Sequence, residues 1–196
     1  MKKQWRWLPA ALAFVAVLAA ALLLYRNLSA RYAPGAETAP AASEENAVTV
    51  PASAAPDEDL AADFTVFDEN GAEVRLSDRF GKPLVVNFWA SWCGPCCSEL
   101  PAFDAACRQY AGKVDFMMVN LTDGYSETVE SVKAFIAESG YTFPVYYDTN
   151  QDAARTYSVY SIPLSVFIRA DGTVLDAHIG AMDDTTLQGY LAQLLA

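Results

Sequence analysis

The stretch Asn87-Phe88-Trp89-Ala90-Ser91-Trp92-Cys93-Gly94-Pro95-Cys96 decides the fold of this chain. Its first half completes an apolar run that begins at Leu84, and this pattern predicts a buried strand. The sequence after it predicts a helix from Pro95 to about Tyr110, interrupted at Pro101. The two thiols are therefore expected at a helix N-terminus, where unpaired N–H groups and partial positive charge stabilise a thiolate.

The i, i+3 spacing of the cysteines predicts that they bridge each other with little backbone movement. A disulfide needs Cα atoms about 4.4–6.8 Å apart, which consecutive helical turns provide. Cys93 is predicted to be the exposed nucleophile, and Cys96 the more buried thiol that resolves the mixed disulfide. A Cys-x-x-Cys motif can also be half of a zinc site, but the sequence contains no second pair.

Two further cysteines follow, Cys97 and Cys107. Cys97 is expected to point to the side of Cys96 and to be partly exposed. It is either a small apolar residue, a thiol that attacks Cys93, or a ligand for a soft metal with the other two thiols. Cys107 is expected to pack inward as a small hydrophobic residue.

The charge of the chain excludes one class of partner. The formal net charge of the 196 residues is −11. Residues 60–196 carry 18 acidic and 8 basic side chains, a net charge of −10. A domain this acidic repels phosphate backbones, so nucleic acid is not expected as a partner.

The N-terminal residues 1–31 predict a signal anchor. Leu8–Tyr25 contains no charged residue and is preceded by Lys2, Lys3 and Arg6. Such a length suits either a membrane span or the core of a signal peptide. Because no clear cleavage site follows, we expect an uncleaved anchor with its basic end inside, and a removed signal peptide is the alternative.

Residues 32–59 predict a disordered linker, and residues 60–196 predict one globular domain. The linker is rich in Ala, Pro and Glu and has six acids and no base, a composition that cannot form a core. The domain opens with a predicted hairpin of Phe64–Phe67 and Glu73–Leu76. Further strands are expected at 84–90, 114–121, 143–147, 164–168 and 174–179, and helices at 95–110, 127–139, 152–157 and from Asp183 or Asp184 to the C-terminus.

These residues resemble the thioredoxin superfamily. Besides the strand-to-helix stretch, Pro101 is similar to the family's helix-kinking proline, and Ser161-Ile162-Pro163 to its cis-proline loop. Gly180-Ala181 matches its glycine corner after the last strand. The resemblance implies an α/β, thioredoxin-like fold, a mixed sheet with helices on both faces.

The chain is most similar to the TlpA/ResA-type branch of that superfamily. An N-terminal β-hairpin, a central helix–strand insertion and an anchor are typical of it, as is Glu99 three residues after Cys96. Asn87 stands where ordinary thioredoxins have a buried acid. The branch implies an extracytoplasmic thiol–disulfide reductase at the cell membrane, with no cofactor or metal. It further implies electrons from a CcdA/DsbD-like membrane partner, and apocytochrome c is one plausible protein substrate.

The resemblance also assigns roles to single residues. Pro163 is expected to be cis, rather than a trans proline that opens a strand, and to expose the backbone of Ile162 to substrate. Glu99 is expected to carry protons for the resolving thiol or to raise the thiol pKa values, unless it is a solvated carboxylate. Trp92, Gly94 and Pro95 are expected to contact substrate. Since Gly94-Pro95 contains no histidine, the pair is expected to be a reductant.

Two other functions fit parts of the sequence. A thiol peroxidase would use the same strand and Cys93, but glutathione peroxidases need a downstream Trp, and none occurs after Trp92. A copper-delivery protein would use Cys93, Cys96 and Cys97. It would need further ligands, for which Met182 and His178 are candidates, although His178 is as readily a polar residue on a late strand.

Overall fold

The structure of the protein is a computed structural model, and it describes residues 60–196. The predicted anchor at residues 1–31 and the predicted linker at residues 32–59 lie outside the described residues. Among residues 60–196, no helix has both the length and the apolar character that crossing a membrane requires.

The domain contains seven strands, four α-helices and one 3-10 turn. The strands are β1 (Thr65–Phe67), β2 (Glu73–Arg75), β3 (Leu84–Trp89), β4 (Asp115–Asn120), β5 (Val145–Tyr147), β6 (Leu164–Ile168) and β7 (Val174–Ile179). The helices are α1 (Gly94–Gln109), α2 (Val129–Ser139), α3 (Asp152–Thr156) and α4 (Asp184–Leu194), and the 3-10 turn covers Ser77–Arg79.

All seven strands form one mixed sheet in the order β2-β1-β5-β4-β3-β6-β7. β3 lies near its middle, parallel to β4 and antiparallel to β6. The N-terminal hairpin joins the sheet through a single pairing, Phe67 with Tyr147 on β5. The predicted helix–strand insertion therefore supplies the strand on which the hairpin docks.

The central strand β3 is buried on both sides, as is usual where helices cover a parallel sheet. Side chains alternate along a strand, so Leu84, Val86 and Phe88 enter one apolar layer and Val85 and Trp89 enter the other. Asn87 is directed to the second of these sides and is the only polar residue of the strand. The strand consequently delivers one amide into the layer beneath α1.

Helices cover both faces of the sheet, and the predicted thioredoxin-like fold is confirmed. The three long helices α1, α2 and α4 contribute to the layer on the side of Trp89. On the other face, Ala153 of short α3 packs with residues from the start of the domain, such as Phe64 and Leu76. The face with the long helices is the one that carries the cysteines.

Helix α1 continues through Pro101, so the predicted interruption of the helix at that residue is wrong. Proline removes one backbone N–H, but Pro101 lies on the exposed side of a 16-residue helix. The opposite side buries Cys96, Leu100 and Phe103, which recur at helical spacing. This packing holds the helix together across the missing hydrogen bond.

Helix α2 begins at Val129, two residues later than expected. Thr128 is its N-cap and forms a capping box with Ser131. Glu127 therefore lies outside the helix. Gly140 ends the helix in the left-handed conformation, as predicted. At α4, Asp183 and not Asp184 is the N-cap.

Gly172 in the β6–β7 turn is expected to resist substitution. Its φ is +90°, and a Cβ there would lie 2.9 Å from the ring of Phe80. Gly172→Ala should lower the free energy of unfolding by about 2–3 kcal/mol, through backbone strain and crowding of the ring. The matched control is Gly71→Ala, where φ is +80° but the space is empty; strain alone should cost about 1 kcal/mol. Equal losses in urea titrations would contradict the clash.

Candidate active site

Cys93 and Cys96 form a disulfide at the start of α1, with their Cα atoms 5.2 Å apart. Cys93 is the N-cap residue, in an extended conformation, and its Sγ accepts a hydrogen bond of 3.2 Å from the Cys96 N–H. Pro95 occupies the first turn, where its missing N–H costs nothing. When the pair is reduced, the same N–H and the helix dipole favour a thiolate on Cys93.

Cys96 is buried, as predicted, but Cys93 is more buried than the sequence suggested. Cys93 retains 5% exposure and Cys96 none, so the prediction of an exposed Cys93 is wrong for the oxidised protein. The predicted order of accessibility is confirmed, because only Cys93 reaches solvent. The neighbouring Trp92, Gly94 and Pro95 are exposed beside it.

The loop before β6 lies against Cys93. The Ile162–Pro163 peptide bond is cis, and the carbonyl oxygen of Ile162 lies 3.8 Å from the Cys93 Sγ. The Pro163 carbonyl accepts a hydrogen bond of 2.8 Å from the N–H of Gly180, so the predicted glycine corner anchors this loop. The Ile162 N–H forms no hydrogen bond within residues 60–196.

Glu99 is buried on α1, one helical turn after Cys96, which rules out a solvated carboxylate. One carboxylate oxygen accepts a hydrogen bond of 2.8 Å from Asn87 Nδ2, and the other accepts one of 2.8 Å from the N–H of Met182. Asn87 Nδ2 also donates to the hydroxyl of Ser165 at 2.9 Å. Thus Asn87, the predicted substitute for a buried acid, holds the acid that α1 supplies.

Burial raises the pKa of the Glu99 carboxyl, and the two hydrogen bonds from Met182 and Asn87 oppose that rise. Glu99 has no ion-pair partner within residues 60–196. The Asn87 Oδ1 is buried without a hydrogen-bond partner in the same part of the chain. Glu99 in this cluster therefore binds its proton more tightly than a glutamate side chain in water does.

Sequence reasoning missed Glu127, a second buried carboxylate near the site. Its two oxygens accept hydrogen bonds from the Ser91 N–H at 2.7 Å and the Ser91 hydroxyl at 2.9 Å. Glu127 thereby ties the loop after β4 to the residue before Trp92. The sequence held one signal for this role, an acidic residue directly before the N-cap Thr128. The predicted helix started at Glu127, and this start hid the position of Glu127 outside the helix.

The two remaining cysteines are free and partly buried. The Cys97 Sγ lies 3.2 Å from the Ser91 carbonyl oxygen, and burial, together with Glu127, raises the pKa of its thiol. Cys107 packs against the core as predicted, and burial raises the pKa of its thiol to about 12. Both thiols are therefore poor nucleophiles at neutral pH.

Two of the three thiols of the copper alternative, Cys93 and Cys96, are joined in the disulfide. Within residues 60–196, no three or more His, Cys, Asp or Glu side chains are grouped so that they could hold a metal ion. His178 lies on β7 with its ring 6.0 Å from that of Tyr190, and Met182 is buried. No specific observation favours this alternative.

A profile of the AhpC/TSA family matches residues 58–177. The chain belongs to the AhpC/TSA family. Its fold is that of the thioredoxin-like members, and the match includes the disulfide and the proline loop.

Named relatives agree on the chemistry. Thiol-disulfide oxidoreductase ResA of Bacillus thuringiensis is 35% identical over 135 residues, 68% of this chain and 76% of the relative. A solved structure of a putative thiol:disulfide interchange protein DsbE from Chlorobium tepidum has a TM-score of 0.63 and 31% identity, covering 70% of this chain and 96% of that one. The exposed lipoprotein thioredoxin of Streptococcus pneumoniae has a TM-score of 0.60 and 30% identity, covering 68% and 100%. This AhpC/TSA-family chain is a thiol–disulfide oxidoreductase.

Glu99→Gln is expected to change how stability depends on pH. The folded protein binds the Glu99 proton more tightly than the unfolded chain, because burial raises the pKa above its ordinary value of 4.5. The stability from this proton is complete below pH 4.5 and is lost as the pH rises through the folded-state pKa. As the pH increases above 4.5, the unfolding free energy of the wild type should therefore fall relative to that of the variant.

Urea titrations at several pH values measure this difference. Glu138→Gln, which removes an exposed carboxylate of α2, controls for the loss of a negative charge. The difference in unfolding free energy between the Glu99→Gln and wild-type proteins could instead stay constant between about pH 4 and 8. That result would show that Glu99 has the same pKa in the folded and unfolded states.

Proposed function

We propose that this oxidoreductase works as a reductase of disulfides in exported proteins, with Cys93 as the nucleophile and Cys96 as the resolving thiol. The observation that carries the proposal is the position of the Cys93 sulfur. It lies at a helix N-terminus, accepts the Cys96 N–H, and faces the Ile162 carbonyl on the cis-proline loop. A substrate disulfide can approach this sulfur between Trp92 and that loop.

The reduced protein would transfer two electrons in two exchanges. The Cys93 thiolate attacks one sulfur of the substrate disulfide, forms a mixed disulfide and releases the other sulfur as a thiolate. The Cys96 thiol loses its proton and attacks the Cys93 sulfur, which releases the second substrate thiolate. The product is the Cys93–Cys96 disulfide seen in the structure.

The surroundings of the cysteines support the direction of transfer. Gly94-Pro95 adds no cation that would stabilise the Cys93 thiolate further, so the disulfide form is comparatively favoured and the dithiol is a reductant. An ionised Glu99 near the pair would raise the pKa values of both thiols. This effect also disfavours the thiolate and so makes the dithiol a stronger reductant. We assign to Glu99 the acceptance of the proton from Cys96 in the second exchange.

The backbone at residue 162 is proposed to bind the substrate chain. The Ile162 N–H is unpaired within the described domain, and its carbonyl faces Cys93. An extended substrate segment can therefore pair with this residue as an added strand. Pro163 would hold that backbone in place, while Trp92, Gly94 and Pro95 border the segment on the other side.

The proposed setting is the outer side of a bacterial cell membrane. The relative from Streptococcus pneumoniae is named an exposed lipoprotein, and the N-terminal sequence Leu8–Tyr25 predicts an anchor in this chain. A CcdA/DsbD-like membrane protein is the proposed electron donor, and apocytochrome c a proposed substrate, because its haem-attachment thiols must be reduced.

Substitution of the two cysteines should separate their roles. Cys93→Ser should abolish reduction of insulin disulfides with dithiothreitol as the donor, because no thiolate attacks the substrate. Cys96→Ser should instead accumulate mixed disulfides, since attack survives and resolution does not. Non-reducing electrophoresis and mass spectrometry detect the trapped species.

Two controls sharpen this test. Cys107→Ala removes a thiol that the fold makes unreactive, and should keep wild-type turnover. Cys97→Ser asks whether the neighbouring thiol is the nucleophile. Loss of activity in Cys97→Ser with retention in Cys93→Ser would refute the assignment. Consumption of hydrogen peroxide faster than insulin reduction would favour the thiol peroxidase instead.

The anchor is tested on the native protein. If the signal anchor stays in place, the purified protein should start at or near Met1 and fractionate with membranes, and external protease should digest the domain in spheroplasts. N-terminal sequencing measures the start. A start near Arg31 would show that a signal peptide is removed and that the domain diffuses freely, which leaves the proposed thiol chemistry untouched.

A further inference from the structure

A cavity of about 250 Å³ adjoins the cis-proline loop on the sheet face opposite α1. All of its lining residues are uncharged, although the domain around it has a net charge of −10. Loop 157–161 forms one wall, and strands β6 and β7 form the floor and the other wall. The residues that define it best are Tyr157, Val159, Tyr160, Leu164, Val174 and Ile179.

The rim of this cavity exposes large apolar side chains. Tyr160 is 86% exposed and Ile179 is 56% exposed, whereas Leu164 on the floor is buried. Water-exposed apolar side chains grouped around an apolar recess are typical of binding sites. Tyr160 and Ile179 are too exposed to contribute much to the core. Their apolar surface is therefore available to a ligand that enters the cavity.

The cavity is lined by residues on either side of the proposed substrate site at Ile162 and Pro163, namely Ser161 and Leu164. Tyr160 lies two residues before Ile162, whose carbonyl oxygen is 3.8 Å from the Cys93 sulfur. Ile179 pairs with Leu164 across the two strands and is followed by Gly180, which holds the Pro163 carbonyl. A chain that pairs with residue 162 and continues past Tyr160 therefore reaches the cavity.

We propose that the cavity binds one large apolar side chain of a polypeptide substrate whose cysteine reacts at Cys93. This inference rests on the proposed reductase function and adds a substrate class to it. Tyr160 lies two residues before Ile162, and paired extended chains advance in step, so the bound side chain lies about two to four residues from the reacting cysteine. Charged side chains are disfavoured, because no residue of the lining carries an opposite charge.

A large apolar side chain in the cavity implies that the substrates are unfolded polypeptides. Folded proteins bury most of their large apolar residues, so an oxidised cysteine near an accessible Phe or Leu is typical of a chain that has not yet folded. The acidic domain would repel acidic segments in addition. The site therefore favours apolar or basic segments around the substrate cysteine.

The test uses the reduced full chain and three peptides. Each peptide carries one cysteine as a mixed disulfide with thionitrobenzoate. Two contain Phe three residues before or after that cysteine, and the third has Ser at both places. The Cys93 thiolate attacks the peptide sulfur and releases the coloured thionitrobenzoate anion, and Cys96 then releases the peptide thiol. Rates with dithiothreitol correct for the intrinsic reactivity of each peptide.

At least one Phe peptide is expected to react about 10-fold faster than the Ser peptide, judged by the corrected second-order rate constant. Tyr160→Ser and Ile179→Ser should each bring this ratio close to one. Tyr160→Phe should keep the ratio, because the ring and not the hydroxyl fills the rim. Leu195→Ser should also keep it, since Leu195 is a comparably exposed apolar residue at 43%, at the end of α4.

Each outcome decides the matter. A wild-type ratio of one, or a preference for Phe that survives Tyr160→Ser and Ile179→Ser, overturns the cavity as a subsite while the reductase function stands. If the wild type reduces none of the peptides, the proposed function fails and the subsite fails with it. Loss of the ratio in Leu195→Ser would show a general effect of surface apolarity and would also overturn the proposal.

Discussion

The hydrogen bond from the Cys96 N–H to the Cys93 sulfur is the interaction on which the site depends. It exists because α1 begins five residues after the last residue of β3, and β3 is held between β4 and β6 with both faces buried. The proline loop leads into β6, the neighbour of β3, so the Ile162 carbonyl arrives beside the same sulfur. One strand–helix junction thus sets the thiolate environment and the substrate backbone site together.

The polar cluster around Glu99 is a compromise between stability and chemistry. Asn87, Glu99 and Ser165 occupy positions that apolar side chains would fill at lower cost, and the Asn87 Oδ1 has no partner in the described domain. What the fold gains is an ionisable group one helical turn after Cys96, with a pKa that burial raises. A buried carboxyl with only neutral partners holds its proton to a higher pH than an exposed carboxyl does.

The two faces of the sheet contribute different things to this enzyme. The face under the long helices holds the disulfide, Glu99 and the aromatic packing of Trp89 against Phe135 and Phe143. The opposite face is covered mainly by short segments, and a cavity remains beside the loop that precedes Pro163. Residues 157–161 line that cavity, and the carbonyl oxygen of Ile162, the next residue, lies 3.8 Å from the Cys93 sulfur.

The amino-acid sequence by itself determined the thiol pair and the order of the elements, since these depend on local patterns such as the apolar run from Leu84 and the spacing of Cys93 and Cys96. The resemblance to the thioredoxin superfamily indicated the proline loop. The sequence did not determine that Glu99 is buried against Asn87 or that Glu127 holds Ser91, because those contacts join residues distant in the chain. The continuity of α1 past Pro101 likewise depends on how Leu100 and Phe103 pack in the core. Tertiary structure decided these features, since the burial of a side chain depends on which distant elements cover it.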